Sequence, residues 1–267
     1  PLEDALADAR EPLADVQRAR IELVNRNGMR LLKLVNSLLD FSRIEAGRVE
    51  ARFEPTDLAE LTRDLASAFR SAVEKAGLQL DVHASAREPA WIDREMWEKV
   101  VLNLVSNAFK HTFEGRIAVS LTEQGESFQL RVDDTGVGVP ESDLPRLFER
   151  FHRVEGARGR SYEGSGIGLA LVQELVRMHS GSVSVTSRVD QGTTFTVTIP
   201  RGNQHLPKER LHAGRSLIST ATRADAFVNE ASSWVGVSDS GAEAGRPAAQ
   251  TPLRVERGRV VLADDNA

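Results

Sequence analysis

The sequence contains no cysteine, which excludes disulfides, zinc ribbons and thiol catalysis. No apolar run approaches the roughly 20 residues of a membrane span, and no signal peptide opens the chain. A cytosolic setting without membrane contact is therefore expected for this segment. Basic residues are not in excess, since 34 Lys and Arg stand against 39 Asp and Glu for a formal charge of −5. That balance lacks the footprint of a nucleic-acid binder. Histidine is scarce, with six copies, and the first residue is Pro1 rather than Met. What is present is ordinary, 40% apolar and 27% charged over 267 residues, enough for one large or two small domains.

Residues 1–47 read as helix. Ile21, Val24, Gly28, Leu31, Val35 and Leu38 advance by alternating steps of three and four, the seam spacing of a coiled coil or bundle. Leu32, Leu34, Leu39 and Phe41 widen that seam, which calls for several partner helices. Pro1–Ala9 reads as a second, short helix, broken around Arg10-Glu11-Pro12, so the pair forms a hairpin whose first arm looks cut short. Two helices cannot close a four-helix core, and a homodimer is expected. Gly47 ends the long helix.

From about residue 48 the pattern mixes helix and strand. Thr56 or Asp57 suits the cap of a helix running to about Ala76, stopped by Gly77. Strands are expected at 78–83, 116–122, 127–133, 182–187 and 193–199, and helices at about 94–111 and 167–180. Asp190-Gln191-Gly192 joins the last two strands as a hairpin turn. The order predicts a helix layer on a mostly antiparallel sheet. Residues 201–258 read as a linker, within which Phe227, Ala231 and Trp234 at i, i+4 and i+7 allow one short amphipathic helix. Val260-Val261-Leu262 then begins a strand that ends at Asp264-Asp265.

The helix at 94–111 carries the most chemical information. Asn103, Asn107 and Lys110 fall within roughly 60° of one another around its axis, while Val101, Leu104, Val105 and Ala108 gather opposite. Amide oxygens for Mg²⁺ and an amine for phosphate suit a metal-bound polyphosphate. A solvated helix face accounts for the same stripe, although two Asn in mid-helix are poor helix formers. In the strand that follows, Phe128, Leu130 and Val132 alternate with polar residues, so Asp134 points to the apolar side. A carboxylate there needs a donor, and an adenine amino group is one candidate. Gly136 and Gly138 permit close backbone approach, although an ordinary Asp-Thr-Gly turn also fits. Gly164-Ser165-Gly166-Ile167-Gly168 leads into a helix whose first amides suit phosphate. It is not a Walker loop, and Leu169 stands where a dinucleotide fingerprint needs its third glycine. Between the glycine clusters, Arg150, Arg153, Arg158 and Arg160 fit a cationic lid. For Arg158 and Arg160 a surface loop is the alternative.

In this order and spacing the motifs resemble those of the sensor histidine kinases, specifically the hybrid type. Asn103-Leu-Val-Ser-Asn107-Ala-Phe-Lys110-His111 resembles the N box. Asp134-Thr-Gly-Val-Gly138 resembles the first glycine box, Phe148-Glu-Arg-Phe151 the F box, and Gly164-Ser-Gly-Ile-Gly168-Leu169 the second glycine box. Leu34 to Gly47 resembles the end of the dimerisation and phosphotransfer helices, and Val260 to Asn266 the opening of a receiver domain. The fold implied is α+β, an α/β sandwich of the GHKL (Bergerat) ATP-binding type with an N-terminal helical hairpin. The implied division is a bundle hairpin at 1–47, the catalytic domain at 48–200, a linker at 201–258 and the first receiver strand at 259–267. By the same resemblance Asn107 holds Mg²⁺ with Asn103 beside it, and Lys110 and one or both of Arg150 and Arg153 contact ATP phosphates. Asp134 accepts from the adenine amino group, and His111 packs near the nucleotide. Gly136, Gly138, Gly164, Gly166 and Gly168, with Leu169, shape the lid.

Related ATPases of this fold carry a Glu four residues before the metal-binding Asn, as base for the attacking water. Here that position is Asn103, which takes no proton, so the resemblance implies phosphoryl transfer to a histidine rather than brisk hydrolysis. The family's acceptor is a His followed by an acid on the first bundle helix. None of His83, His111, His152, His179, His205 and His212 precedes Asp or Glu. The acceptor is expected upstream of Pro1 and the phosphorylated receiver Asp beyond Ala267, in a chain cut at both ends. The alternatives are an ATPase of the same superfamily and a non-catalytic ATP-binding scaffold.

Overall fold

The computed structural model describes residues 14–154, 159–160 and 166–211, with Phe227, Val228, Ala231, Ser232 and Trp234. The expected short helix at Pro1–Ala9 and the receiver-like strand at 259–267 lie outside the described residues.

Helix α1 (Asp15–Glu45) is continuous for 31 residues and ends at Gly47, whose φ is +64°. Along most of its length the apolar seam is left uncovered by the described residues. Val24, Leu31, Val35 and Leu38 are 45–62% exposed, and Leu23, Leu32 and Leu39 are exposed with them. Only its foot is covered, where Phe41 is buried and Ile44 packs on the core.

The rest of the chain is a two-layer α+β unit. Five strands, β2 (Gln79–Ala84), β4 (Arg116–Gln124), β5 (Ser127–Asp134), β6 (Ser182–Arg188) and β7 (Gly192–Pro200), form a sheet in the order β2-β4-β5-β7-β6. β2 runs parallel to β4, and every other pair is antiparallel. Alternation sends Leu80, Ile117, Val119, Leu121, Phe128, Leu130, Val132, Phe195, Val197 and Ile199 into one buried face. Three helices cover it: α2 (Leu58–Ser67), α4 (Arg94–His111) and α5 (Gly168–Met178). A buried Trp97 Nε1–H donates to Thr62 Oγ1 at 3.0 Å and joins α4 to α2. The Asp190-Gln191-Gly192 turn closes the β6–β7 hairpin, with Asp190 and Gly192 both at positive φ.

Two features differ from the sequence reading. The helix expected from residue 57 to Ala76 is divided: Asp57 caps α2 by accepting from the Glu60 amide at 2.8 Å, but the helix ends at Ser67 and α3 (Arg70–Lys75) follows. The bend at Ala68–Phe69 places Phe69, Ala72 and Val73 wholly inside the core. A ribbon of β1 (Glu54–Thr56) against β3 (Ala90–Ile92) was not expected, because three-residue strands carry no readable alternation.

Packing also continues past Pro200, into the stretch expected as a linker. Leu206 is buried, and Leu211 bridges to Phe53, whose amide donates to Arg210 O at 3.0 Å. The amphipathic spacing of the expected short helix is realised, since Ala231 is 0% and Trp234 5% exposed, and Phe227 and Val228 lie against the same core. The Trp234 ring stacks on Phe109 of α4 at 5.8 Å between centroids.

Candidate functional site

Helix α4 is buried on nearly every side, and the exceptions are informative. After its first turn, the residues left partly open are Lys99, Asn103, Asn107, Lys110 and His111. Steps of four, four and three from Lys99 to Lys110 make one stripe, the one read from the sequence. The helix is held firmly at its start. Asp93 Oδ1 accepts from the Met96 amide at 3.1 Å, Asp93 Oδ2 from the Arg52 amide at 2.9 Å, and the Asp93 amide donates to His179 Nε2 at 3.1 Å. His179 Nδ1–H donates in turn to Leu175 O at 2.8 Å, which fixes the neutral tautomer. Burial holds the His179 pKa below the ordinary histidine value.

Within the stripe, Asn103 Nδ2 donates to Lys99 O at 2.7 Å, which turns Oδ1 toward the start of α5. A Cβ on Gly168, the first residue of α5, would stand 2.8 Å from that oxygen. Asn107 is half-buried and makes no side-chain hydrogen bond among the described residues. Its amide oxygen is thus available to a ligand on the open side of the helix.

Asp134 ends β5 across from Ile117 and Thr193. Oδ1 accepts from the Gly136 amide at 2.9 Å and the Thr193 amide at 3.3 Å, and Oδ2 accepts nothing among the described residues. Desolvation raises the Asp134 pKa to about 6, opposed by those two amide bonds and aided by the neighbouring Asp133 carboxylate. A partly desolvated carboxylate with one oxygen that accepts nothing among the described residues is chemically suited to accept from a nitrogen-bound hydrogen.

The first glycine box brings Asp134 to the end of α4. A side chain at Gly136 would strike the His111 carbonyl and Asp134 Oδ1, so only glycine permits this approach. The Val137 amide donates to His111 O at 3.1 Å, and Val137 O accepts from the Asp190 amide at 2.9 Å. Gly138, at φ +66°, lies against the Arg188 carbonyl at the end of β6.

The segment after the F box is pinned at its base. The Phe151 amide donates to Gly166 O at 3.0 Å, with Phe151 at φ +59° and Gly166 at φ +67°. The structure places the Arg150 guanidinium 4.2 Å from the Phe41 ring centroid, against the foot of α1. Arg153 is exposed beside it, and Leu169 packs toward the core. Gly164 and Arg158 lie outside the described residues. The structure thus gathers Asn103, Asn107, Lys110, His111, Asp134, Gly136, Gly138 and Gly168 around α4.

Arg160 was read in the sequence as part of a cationic lid, with a surface loop as the alternative, and the structure places it against the end of α4. Its amide donates to Lys110 O at 2.9 Å, its Nε to Thr112 O at 3.0 Å and its Nη2 to Phe113 O at 3.3 Å. Nothing in the sequence but its charge hinted at this. His179 had a signal, since it shares the apolar face of α5 with Val172, Leu175 and Val176, all buried.

Among the described residues no cluster of three His, Asp or Glu side chains is placed to hold a metal. The oxygens that the open stripe offers are side-chain amides, a donor type that Mg²⁺ accepts. Nor is any helix of the described residues long and apolar enough to cross a membrane.

Residues 92–203 match the family described as histidine kinase-, DNA gyrase B-, and HSP90-like ATPase. Over 193 residues, 71% of the chain, the sequence is 35% identical to the circadian input-output histidine kinase CikA of Synechococcus elongatus, covering 26% of that protein. It is also 35% identical over 205 residues, 73% of the chain, to hybrid signal transduction histidine kinase D of Dictyostelium discoideum, covering 13% of it. The chain thus spans about a quarter or less of these relatives. Among solved structures, full-length ShkA in complex with AMPPNP superposes with a TM-score of 0.63 at 28% identity, over 75% of this chain and 42% of that one. Acinetobacter baumannii AdeS shares the fold with a TM-score of 0.55 at 21% identity, over 76% of this chain and 94% of that one. Residues 92–203 thus form a histidine kinase-, DNA gyrase B-, and HSP90-like ATPase domain, and over about 70% of its length the chain is similar to sensor histidine kinases.

Proposed function

We propose that this chain supplies the nucleotide-binding machinery of an ATP-dependent protein histidine kinase in a two-component system. The γ-phosphoryl group of ATP passes to a histidine of the full-length protein and onward to a receiver aspartate. The observation that carries this reading is the stripe on α4, where Asn107 stays uncommitted and Asn103 occupies the position a hydrolase gives to a general base. Asn103 is held by Lys99 O and offers only an amide, so an attacking water gains no proton acceptor there.

Each residue has a defined task in this scheme. Asp134 Oδ2 accepts from the adenine amino group, and Gly136 keeps the pocket floor free of side chain. Lys110, at the open end of the stripe, presents its amine to phosphate oxygens, and His111 packs beside the nucleotide. Arg150 and Arg153 add positive charge from the F box, and the first amides of α5 receive phosphate. Gly138, Gly166 and Gly168, with Leu169, shape the backbone around it. Mg²⁺, held by the Asn107 oxygen with Asn103 beside it, neutralises phosphate charge when bound. Positioning and charge neutralisation, rather than a protein nucleophile at this site, account for the rate.

Two partners follow. The exposed seam of α1 suits a second copy of the same helix, giving a homodimeric four-helix bundle. A receiver domain, in the same protein or a separate response regulator, takes the phosphoryl group. That idea finds support in a structure of the kinase ThkA with the response regulator TrrA, which shares the fold at 21% identity with a TM-score of 0.58. The reaction is tested by incubating the full-length protein with γ-labelled ATP. An acid-labile, base-stable label, as a phosphorus–nitrogen bond gives, is expected, and its loss in Asn107→Ala ties it to this site. Rapid release of labelled phosphate with no labelled protein would favour an ATPase instead.

A further inference from the structure

The C-terminal end of α4 lacks the usual way of closing a helix. Its cap residue, Thr112, is extended at φ −107° and ψ 118°, and no glycine follows in a left-handed turn to take up the last carbonyls. Three of the last four are nevertheless satisfied from outside the helix backbone. Thr112 Oγ1–H donates to Ala108 O at 2.7 Å, the Val137 amide takes His111 O, and the Arg160 amide takes Lys110 O. The Arg160 guanidinium adds hydrogen bonds to the two carbonyls just past the helix, those of Thr112 and Phe113. The guanidinium also lies 5.1 Å from the Phe109 centroid and 5.5 Å from the Phe113 centroid. Burial lowers the Arg160 pKa, consistent with a cation drawn from water against the negative end of a helix dipole.

We propose that Arg160 is a positioning residue for the nucleotide site, one that sets the last turn of α4 and so the place from which Lys110 addresses phosphate. The inference rests on the nucleotide site described above. Arg160 touches the backbone of Lys110 itself, and its two side-chain bonds fix the next carbonyls beyond His111. With Val137 of the first glycine box it holds the helix end from two sides of the chain. Lys cannot reproduce this, because an ammonium lacks the planar fork that reaches two carbonyls while lying on a ring. Asp134 itself is carried by β5, and its hydrogen bonds are to Gly136 and Thr193 rather than to Arg160.

The chain is titrated with Mg–ATP, and with adenosine by competition, in the unsubstituted form and as Arg160→Ala and Arg160→Lys. Both variants are expected to bind Mg–ATP roughly tenfold more weakly while holding adenosine as before. Millimolar guanidinium is expected to restore Mg–ATP binding in Arg160→Ala in part. Unchanged Mg–ATP affinity in the variants overturns the proposal. So does an equal fall for both ligands alongside a lowered unfolding temperature, which would mark Arg160 as a prop of the fold alone. Failure of the unsubstituted chain to bind Mg–ATP would refute the site, and this role with it.

Discussion

At the residue scale, a half-buried aspartate and a buried histidine set opposite pH dependences. Asp134 has its folded pKa raised to about 6 from 3.8 by desolvation. Its contribution to stability is fully present below the unfolded value and is lost as pH rises through about 6, on the order of 3 kcal/mol. Asp134→Asn is expected to flatten denaturant stability over that window. A ligand that donates to Asp134 must find it ionised, so adenosine affinity is expected to fall as pH drops below about 6. Adenosine is the right probe because it has no phosphate titrating nearby. In Asp134→Asn the affinity is expected to be weak and independent of pH, and a preserved pH slope would mean that another group is responsible.

His179 runs the other way. Burial depresses its pKa, and its neutral Nε2 accepts from the Asp93 amide that begins α4. Its stability contribution is present above the unfolded value near 6.5 and is lost as pH falls below it. His179→Gln is expected to remove that acid sensitivity, which urea unfolding at a series of pH values will show. Both residues were partly legible in the sequence, Asp134 by strand alternation and His179 by its place on an apolar face. Arg160 was not, because its partners are backbone carbonyls and leave no trace in side-chain pattern.

At the element scale, the long periodic segments were readable and the short ones were not. α4 spans Arg94–His111 as its spacing requires, and the five main strands fall within a residue or two of their expected limits. The β1–β3 ribbon and the bend between α2 and α3 depend on contacts far apart in sequence, with Phe69 drawn into a core that local pattern does not reveal. α1 is the reverse case, where the pattern predicts a covered seam and the single chain leaves it bare. Replacing Leu31 and Leu38 together by Gln is expected to abolish self-association while sparing the catalytic domain. Light scattering across a concentration series checks this, and a dimer that survives the double change would place the interface elsewhere.

At the scale of the whole molecule, the packed unit extends beyond the matched family region. Trp234 buries its ring on Phe109, the residue that also carries the Arg160 guanidinium. A loosely attached tail would not exclude water from Ala231 and Trp234 so fully. Trp234→Ala is expected to cost about 3 kcal/mol, at the low end for a buried tryptophan because the segment closes the core from outside. Calorimetric unfolding measures this, and a midpoint unchanged by the substitution would show the segment to be dispensable. The amphipathic spacing was visible in the sequence, but its docking was not, since low-complexity flanks gave no sign of where it returns.

The central claim is that the open stripe of α4 and the half-buried Asp134 form one Mg–ATP site. Isothermal titration of the chain with Mg–ATP, beside Asn107→Ala, tests it most directly. One site per chain is expected, weakened at least roughly tenfold by the substitution and falling toward the affinity for ATP without metal. Binding that is undiminished in Asn107→Ala, or no binding by either protein, would contradict the account.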